Sequence, residues 1–541
     1  MALFEYGTAG FRDHADLMDE VVYRCGLVAA LRSCSLSGST VGLMITASHN
    51  PVEENGVKLV EPDGSMLVAE WEAIANRLVN VDASEVDAVV RELTDGGIIP
   101  RGDDQTESSD IERDATQSAA AEGRNRTLQR AKIVIGRDTR PSSLRLKEQA
   151  CLGARQQFGG ELVIEDIDVC TTPTLHWCVK NQESSMEVYL EALHDAYGDL
   201  VLSQEHNDHA AQSIWVDCAN GVGTKAMEAV ERWELTSIRL FNVGEGDLNL
   251  QCGADFVQKH AHLPIHVPQV PSGDLIASLD GDADRVVFYY LDVDRGFHLL
   301  DGDKIATLFT VRVSELLEQA CLQDRITLGV VQTAYANGAS TAFLTSRGLK
   351  VVCTRTGVKY LESEARKFDI GIYFEANGHG TVLFSSNAIL AIEDGSPSEP
   401  ESVTHAKKEL VKLSRLANQA IGDGVADLLL VDIILRQKKW AAEQWDQLYR
   451  PLPSRQLKVD VRNRSLVETE DMDRRIRSPV GLQMAIDDIL QKACLPQARC
   501  FVRPSGTEDV VRIYVEADSS QERLDELAQD VAAAVTSVVG N

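Results

Sequence analysis

The chain has 541 residues, enough for three to five domains at about 100–200 residues each. Apolar residues make up 44% and charged residues 25%, which excludes a mainly disordered chain. Fifty-three basic against 83 acidic residues give a formal net charge of −30, which excludes bulk attraction to nucleic acid or an anionic membrane surface. An anionic ligand would therefore need a local cluster of Arg, Lys and backbone N–H groups.

The N-terminal run MALFEYGTAGFRDH has no basic region followed by an apolar stretch, so no secretory leader is expected. Asp19 to Arg32 sets Val22, Cys25, Val28, Ala29 and Arg32 at helical spacing. The longest stretch free of Asp, Glu, Lys and Arg, Ser33 to Val52, is rich in Ser, Thr, Gly and Asn and is no membrane span. Strands are predicted at 41–47, 132–136, 161–167, 213–218, 285–292, 326–331, 350–355 and 370–376. Residues 101–126 are polar and acidic and are expected to form a surface insertion. A helix is predicted over 304–319, with Ile305, Leu308, Phe309 and Leu316 on one stripe. Strands alternating with helices imply mixed, mainly parallel sheets covered on both faces. The last hundred residues differ. Strands at 456–461 and 499–517, with helices near 479–494 and 521–538, predict a small α+β domain beyond a boundary between Trp440 and Pro453. The 11 cysteines are scattered without CxxC spacing, as expected of reduced thiols in a cytoplasmic enzyme or binding protein.

Four motifs can carry chemistry. Thr46-Ala47-Ser48-His49-Asn50-Pro51 follows the strand at 41–47, where α/β sheets place ligands. Pro51 is expected to open a helix whose positive end would suit a phosphate on Ser48. Asp280-Gly281-Asp282-Ala283-Asp284-Arg285 sets three carboxylates at i, i+2 and i+4, a pattern that converges on a hard cation such as Mg²⁺. Glu375, Asn377, Gly378 and His379, in EANGHG, offer acceptors and donors for sugar hydroxyls. Arg503-Pro504-Ser505-Gly506-Thr507-Glu508, with Arg512 beyond, combines two guanidiniums, two hydroxyls and glycine-permitted amides into an anion cradle. Weaker features are Asn220-Gly221-Val222-Gly223-Thr224, expected to be a structural strand-to-helix turn, and Gly136-Arg137-Asp138-Thr139-Arg140, either an electropositive loop or an ion-paired turn. Lys359 stands at a strand end, and Arg12 lies in the N-terminal YGTAGFR run.

TASHNP, DGDADR, EANGHG and RPSGTED, in that order, resemble the serine, metal, sugar and phosphate loops of the α-D-phosphohexomutase superfamily. YGTAGFR, GVVQTAYANGAS, TRTGVKYLE and the late position of GRDTR are similar to the eukaryotic acetylglucosamine-phosphate mutases within it. The resemblance implies three α/β domains, at about 1–175, 176–296 and 297–445, plus a C-terminal α+β domain at 446–541, around a central cleft. It implies a phosphoserine at Ser48 and Mg²⁺ on Asp280, Asp282, Asp284 and a phosphoserine oxygen, with Arg285 assisting. The sugar phosphate would be held by Glu375, Asn377, Gly378, Arg503, Ser505, Gly506, Thr507 and Arg512. The catalytic set would include Arg12, and the general acid/base is open among His49, Lys58, Lys359 and His379. The implied reaction interconverts N-acetylglucosamine 6-phosphate and 1-phosphate through a sugar 1,6-bisphosphate, toward UDP-N-acetylglucosamine. The implied partner is a small sugar phosphate, with neither nucleic acid nor membrane. A mutase for glucose or mannose phosphates, or a non-catalytic sugar-phosphate binder, are the alternatives.

Overall fold

A computed structural model describes residues 3–7, 10–98, 130–156, 161–203, 213–395, 398–505 and 509–540. The expected insertion at 101–126 lies outside the described residues, as do Gly506 and Thr507. The chain forms two compact units, Met1–Tyr189 and Leu190–Asn541.

The first unit is built on β1 (Phe11–His14), β2 (Thr40–Ile45), β3 (Glu54–Val60), β4 (Ala131–Arg137) and β5 (Leu162–Val169), in the order β1-β3-β2-β4-β5. β2, β4 and β5 are parallel, whereas β3 returns antiparallel beside β2 and β1 runs antiparallel to β3. All six residues of β2 are buried. The pleat explains why. Val41, Leu43 and Ile45 join a core with Leu27 and Leu31 of the helix Asp19–Ser35, while Met44 joins Leu175 and Val179 on the other face. A strand covered on both faces has no need of alternating polarity.

Three sheets follow in the second unit. β6 (Ile214–Asp217), β7 (Ile238–Phe241), β8 (Leu275–Leu279), β9 (Val286–Leu291) and β10 (Phe297–Leu300) run in the order β10-β9-β8-β6-β7. β11 (Leu328–Thr333), β12 (Lys350–Thr354), β13 (Ile370–Phe374) and β14 (Gly380–Phe384) run in the order β12-β11-β13-β14. The helix Gly302–Gln319 begins at Asp301, whose carboxylate accepts from the N–H groups of Asp303 and Lys304. The last sheet is antiparallel: β15 (Ser454–Asp460), β18 (Arg499–Pro504) and β19 (Val510–Glu516) in the order β15-β19-β18, with a separate hairpin of β16 (Glu468–Glu470) and β17 (Arg475–Ser478). The helices Leu482–Ala493 and Gln521–Val539 bury Leu482, Ile486, Leu524, Leu527, Val531 and Val535 against it.

One expectation is corrected. Pro51 opens no helix: residues 51–53 turn directly into β3, which pairs back on β2. The stretch 499–517 forms strands as expected, two of them, with the chain reversing between Pro504 and Val510. Among the described residues all 11 cysteines are free, and no helix is long and apolar enough to cross a membrane.

Candidate active site

Ser48 sits just beyond β2, fully buried, with φ +52°, in the left-handed region. Its N–H donates to Thr46 Oγ1 at 3.0 Å, and its carbonyl accepts from Arg140 Nη2 at 3.0 Å. The turn closes through Asn50 N–H to Ala47 O at 3.0 Å. Asn50 Nδ2 donates to Glu54 Oε2 at 2.6 Å, and Arg12 Nη1 on β1 donates to Asn50 Oδ1 at 3.3 Å. His49 is half-buried beside Ser48, and Lys58, 8% exposed, sits on β3 opposite Met44 of β2. Arg12, Ser48, His49 and Lys58 thus share the first unit.

The metal loop joins β8 to β9. Asp280, Asp282 and Asp284 are all buried, and one oxygen from each lies within 4.8 Å of the others. Their loop is fixed from below. Val222 N–H donates to Gly281 O at 3.1 Å, Gly424 N–H donates to Ala283 O at 3.0 Å, and Ala283 takes φ +59°. Gly221 is needed there, because a Cβ on it would stand 2.6 Å from Gly281 O. The Asn220–Thr224 turn is therefore a strut beneath the carboxylates. Arg285 Nη1 donates to Asp255 Oδ1, and its Nε lies 3.8 Å from Asp280 Oδ2 and 3.6 Å from Asp284 Oδ1. Burial opposes its charge, yet Asp255, Asp280, Asp284 and Glu375 hold the guanidinium above its ordinary pKa. Three buried carboxylates drawn together concentrate negative charge, which Arg285, itself shared with Asp255, offsets in part. Three hard oxygens in that state suit a small divalent cation.

The sugar loop joins β13 to β14 and folds on itself. Glu375 N–H donates to His379 O at 2.9 Å, Gly378 N–H to Glu375 O at 2.9 Å, and His379 N–H to Asn377 Oδ1 at 3.0 Å. His379, 4% exposed, places Nδ1 3.4 Å from Asp284 Oδ1. Gly378 has φ +85°, and a Cβ there would lie 1.8 Å from Val286 O, so this loop presses on the first residue of β9. Lys359 is half-buried in the first turn of the helix Val358–Ala365.

The phosphate motif lies on the hairpin of β18 and β19. Arg503 and Arg512 are cross-strand partners, and Ser505, 4% exposed, is held by its N–H to Val510 O at 2.9 Å. Asp473 Oδ2 stands 3.7 Å from Arg503 Nε and accepts the N–H of Thr356 at 3.1 Å. Three supporting acids escaped the sequence reading. Asp255 and Asp473 lie about 30 residues from the arginines they meet, and no spacing rule links them. Asp138 was visible within GRDTR, but nothing tied it to Ser48.

In the second unit, paired arginines suit a dianion and clustered carboxylates suit a cation; in the first, a serine hydroxyl stands on a left-handed turn. Three mixed α/β sheets followed by an antiparallel sheet carry these loops, and that combination defines the phosphohexomutase class of phosphotransferases. Profiles of phosphoglucomutase/phosphomannomutase α/β/α domain I and of the C-terminal domain match residues 22–84 with 103–204 and 463–534. The profile of phosphoacetylglucosamine mutase AMG1, domain III, matches residues 301–440. The human phosphoacetylglucosamine mutase is 42% identical over 549 aligned residues, covering 99% of this chain and 95% of its own, and the Schizosaccharomyces pombe phosphoacetylglucosamine mutase 1 is 40% identical, covering 98% of each. The solved N-acetylphosphoglucosamine mutase of Aspergillus fumigatus superposes with a TM-score of 0.89 at 39% identity, covering 100% of this chain and 96% of that one. The same enzyme has been solved with GlcNAc-6P and magnesium (TM-score 0.87, 39% identity, 99% and 96% covered). A serine-to-alanine variant of it has been solved with glucose 1,6-bisphosphate (TM-score 0.87, 38% identity, 100% and 96% covered). The chain belongs to the phosphoacetylglucosamine mutase family.

Proposed function

We propose that the protein interconverts N-acetylglucosamine 6-phosphate and N-acetylglucosamine 1-phosphate, feeding synthesis of UDP-N-acetylglucosamine in the cytoplasm. The observation that carries this reading is 42% identity along 99% of the chain to an enzyme of that name. Four domains, at about 1–175, 176–296, 297–445 and 446–541, each supply one loop.

Ser48, carrying a phosphoryl group on Oγ, donates it to the free hydroxyl of the bound sugar phosphate. The Oγ–P bond breaks, a sugar O–P bond forms, and the hydroxyl proton passes to a base. The resulting 1,6-bisphosphate turns over and returns its other phosphoryl group to Ser48. Asp280, Asp282 and Asp284 would hold Mg²⁺, with Arg285 beside them; when bound, the ion neutralises charge on the phosphoryl group in transit. Arg503, Ser505 and Arg512, with Gly506 and Thr507, grip the phosphate that is not reacting. Glu375 and Asn377 orient the hydroxyls. The acid/base is one of His49, Lys58, Lys359 and His379; His49 follows Ser48 directly, and Lys58 lies on β3 beside β2. His379 is engaged with Asp284, and Lys359 begins a helix in the second unit.

The experiment is a set of parallel rates on N-acetylglucosamine, glucosamine, glucose and mannose 6-phosphates, each with Mg²⁺ and a trace of glucose 1,6-bisphosphate. The acetylated substrate should give the highest kcat/KM. A higher value on glucose or mannose phosphate would reassign the enzyme to a sister mutase.

A further inference from the structure

The GRDTR segment remains unexplained by substrate contacts. It places Asp138 and Arg140 after β4, with both side chains wholly buried and paired to each other. Burying two charges costs several kcal/mol per ion, so such a pair is weak evidence for stability, and apolar residues of similar volume would fill the space as well. This pair has contacts that apolar residues could not make.

Arg140 Nη2 donates to Ser48 O at 3.0 Å and to Asn50 O at 2.8 Å. Asp138 Oδ2 accepts from Thr46 Oγ1 at 2.8 Å, and Thr46 Oγ1 accepts the N–H of Ser48 at 3.0 Å. Ser48 is therefore held at both its N–H and its carbonyl, through one ion pair. Asp138 is itself fixed, since Oδ1 accepts from Arg140 N–H at 3.0 Å and from Ser143 Oγ. Ser48 occupies φ +52°, which costs a residue other than Gly about 1–2 kcal/mol. With the peptide planes on both sides of Ser48 fixed, the Cα–Cβ direction that aims Oγ is fixed too. The guanidinium is matched by the Asp138 carboxylate, so the pair acts through geometry more than through net charge.

We propose that Asp138 and Arg140 are positioning residues for Ser48, holding its backbone left-handed so that Oγ is aligned for phosphoryl transfer in both directions. This rests on Ser48 being the phosphoryl carrier. Neither residue takes part in the bonds made or broken. A misplacement of about 1 Å costs on the order of 100-fold in rate while leaving remote binding intact. The effect should fall on kcat and spare KM.

The test compares wild type with Arg140→Met, Arg140→Lys, Thr46→Val and Thr46→Ser. It measures kcat and KM for N-acetylglucosamine 6-phosphate, and single-turnover phosphorylation of the enzyme by glucose 1,6-bisphosphate, followed by intact mass. Arg140→Met should lower kcat and the phosphorylation rate together by about 100-fold, with KM within about twofold. Thr46→Val should lower both by about 10-fold, and Thr46→Ser should restore them, because its hydroxyl remains. If Arg140→Met does not fold, as judged by circular dichroism, the Thr46 pair decides. Wild-type kcat in folded Arg140→Met, or a raised KM with unchanged kcat, overturns the positioning role. Full turnover in Ser48→Ala instead overturns the phosphoserine reading, and is seen without any Arg140 variant.

Discussion

Arg503 and Arg512 face each other across β18 and β19 as register partners. Like charges directly opposite on adjacent strands are destabilising. Asp473 stands 3.7 Å from Arg503 Nε and is shared with the N–H of Thr356. Two guanidiniums brought together on one hairpin suit an anion such as a phosphate. Arg512→Met should raise KM for the sugar phosphate by about 10- to 100-fold, the loss of one charge-assisted contact. Inorganic phosphate should raise the Tm of wild type, and by less in Arg512→Met. An equal rise in both would remove Arg512 from the cradle.

Ser48→Ala should abolish mutase turnover while leaving sugar-phosphate binding measurable by calorimetry. Intact mass should show a phosphorylated fraction in wild type and none in the variant. Near wild-type turnover in the purified variant would end the covalent mechanism.

Asp280, Asp282 and Asp284 are buried with Arg285 as their neighbouring cation. Exhaustive chelation should abolish turnover, and Mg²⁺ should restore it. Because a cation also offsets buried charge, Mg²⁺ should raise the Tm of the chelated protein, and Asp282→Asn should blunt that rise. Full activity in protein shown by elemental analysis to be metal-free would contradict this.

Asp427 lies on the helix Gly424–Lys438, fully buried, and neither of its carboxyl oxygens makes a well-formed hydrogen bond. Burial, reinforced by Asp423, pushes its pKa well above the usual carboxylate range. The folded state thus binds this proton more tightly than the unfolded state. Its contribution is intact below the unfolded pKa of about 3.9 and declines as pH rises, by about 1.4 kcal/mol per unit until the folded group ionises. Asp427→Asn, which does not titrate, should match wild type near pH 4 and exceed it in denaturant midpoint at pH 7. A midpoint difference that is constant with pH would refute the assignment.

Much of this was legible in the sequence because β2 and β13 are short apolar runs that each end in a polar motif, and β9 is one that follows directly on the Asp280–Arg285 motif. What escaped has physical causes. β3, as ENGVKLV, carries Glu54, Asn55 and Lys58 in a strand buried from Asn55 to Val60, so its polar residues hide it from a reading by apolar runs. Pro51 suggested a helix by local preference, but the pairing of β3 on β2 overrode it. The partners of Ser48 lie about 90 residues downstream, at Asp138 and Arg140. Long-range polar contacts of this kind follow from topology, since β4 lies parallel beside β2 and delivers its carboxyl end next to the serine turn.

The close approach of Gly378 to Val286 O couples the 375–379 turn to the end of the carboxylate loop, and under the proposed roles would tie sugar choice to metal placement. A side chain of any size there would have to push the hydroxyl-binding turn off the strand that begins at the end of the carboxylate loop. Redesign of the pocket for another hexose by changing residues 375–379 alone would also disturb the cation. Chimeras between relatives should therefore exchange 280–286 and 375–380 as one block, leaving Gly378 in place.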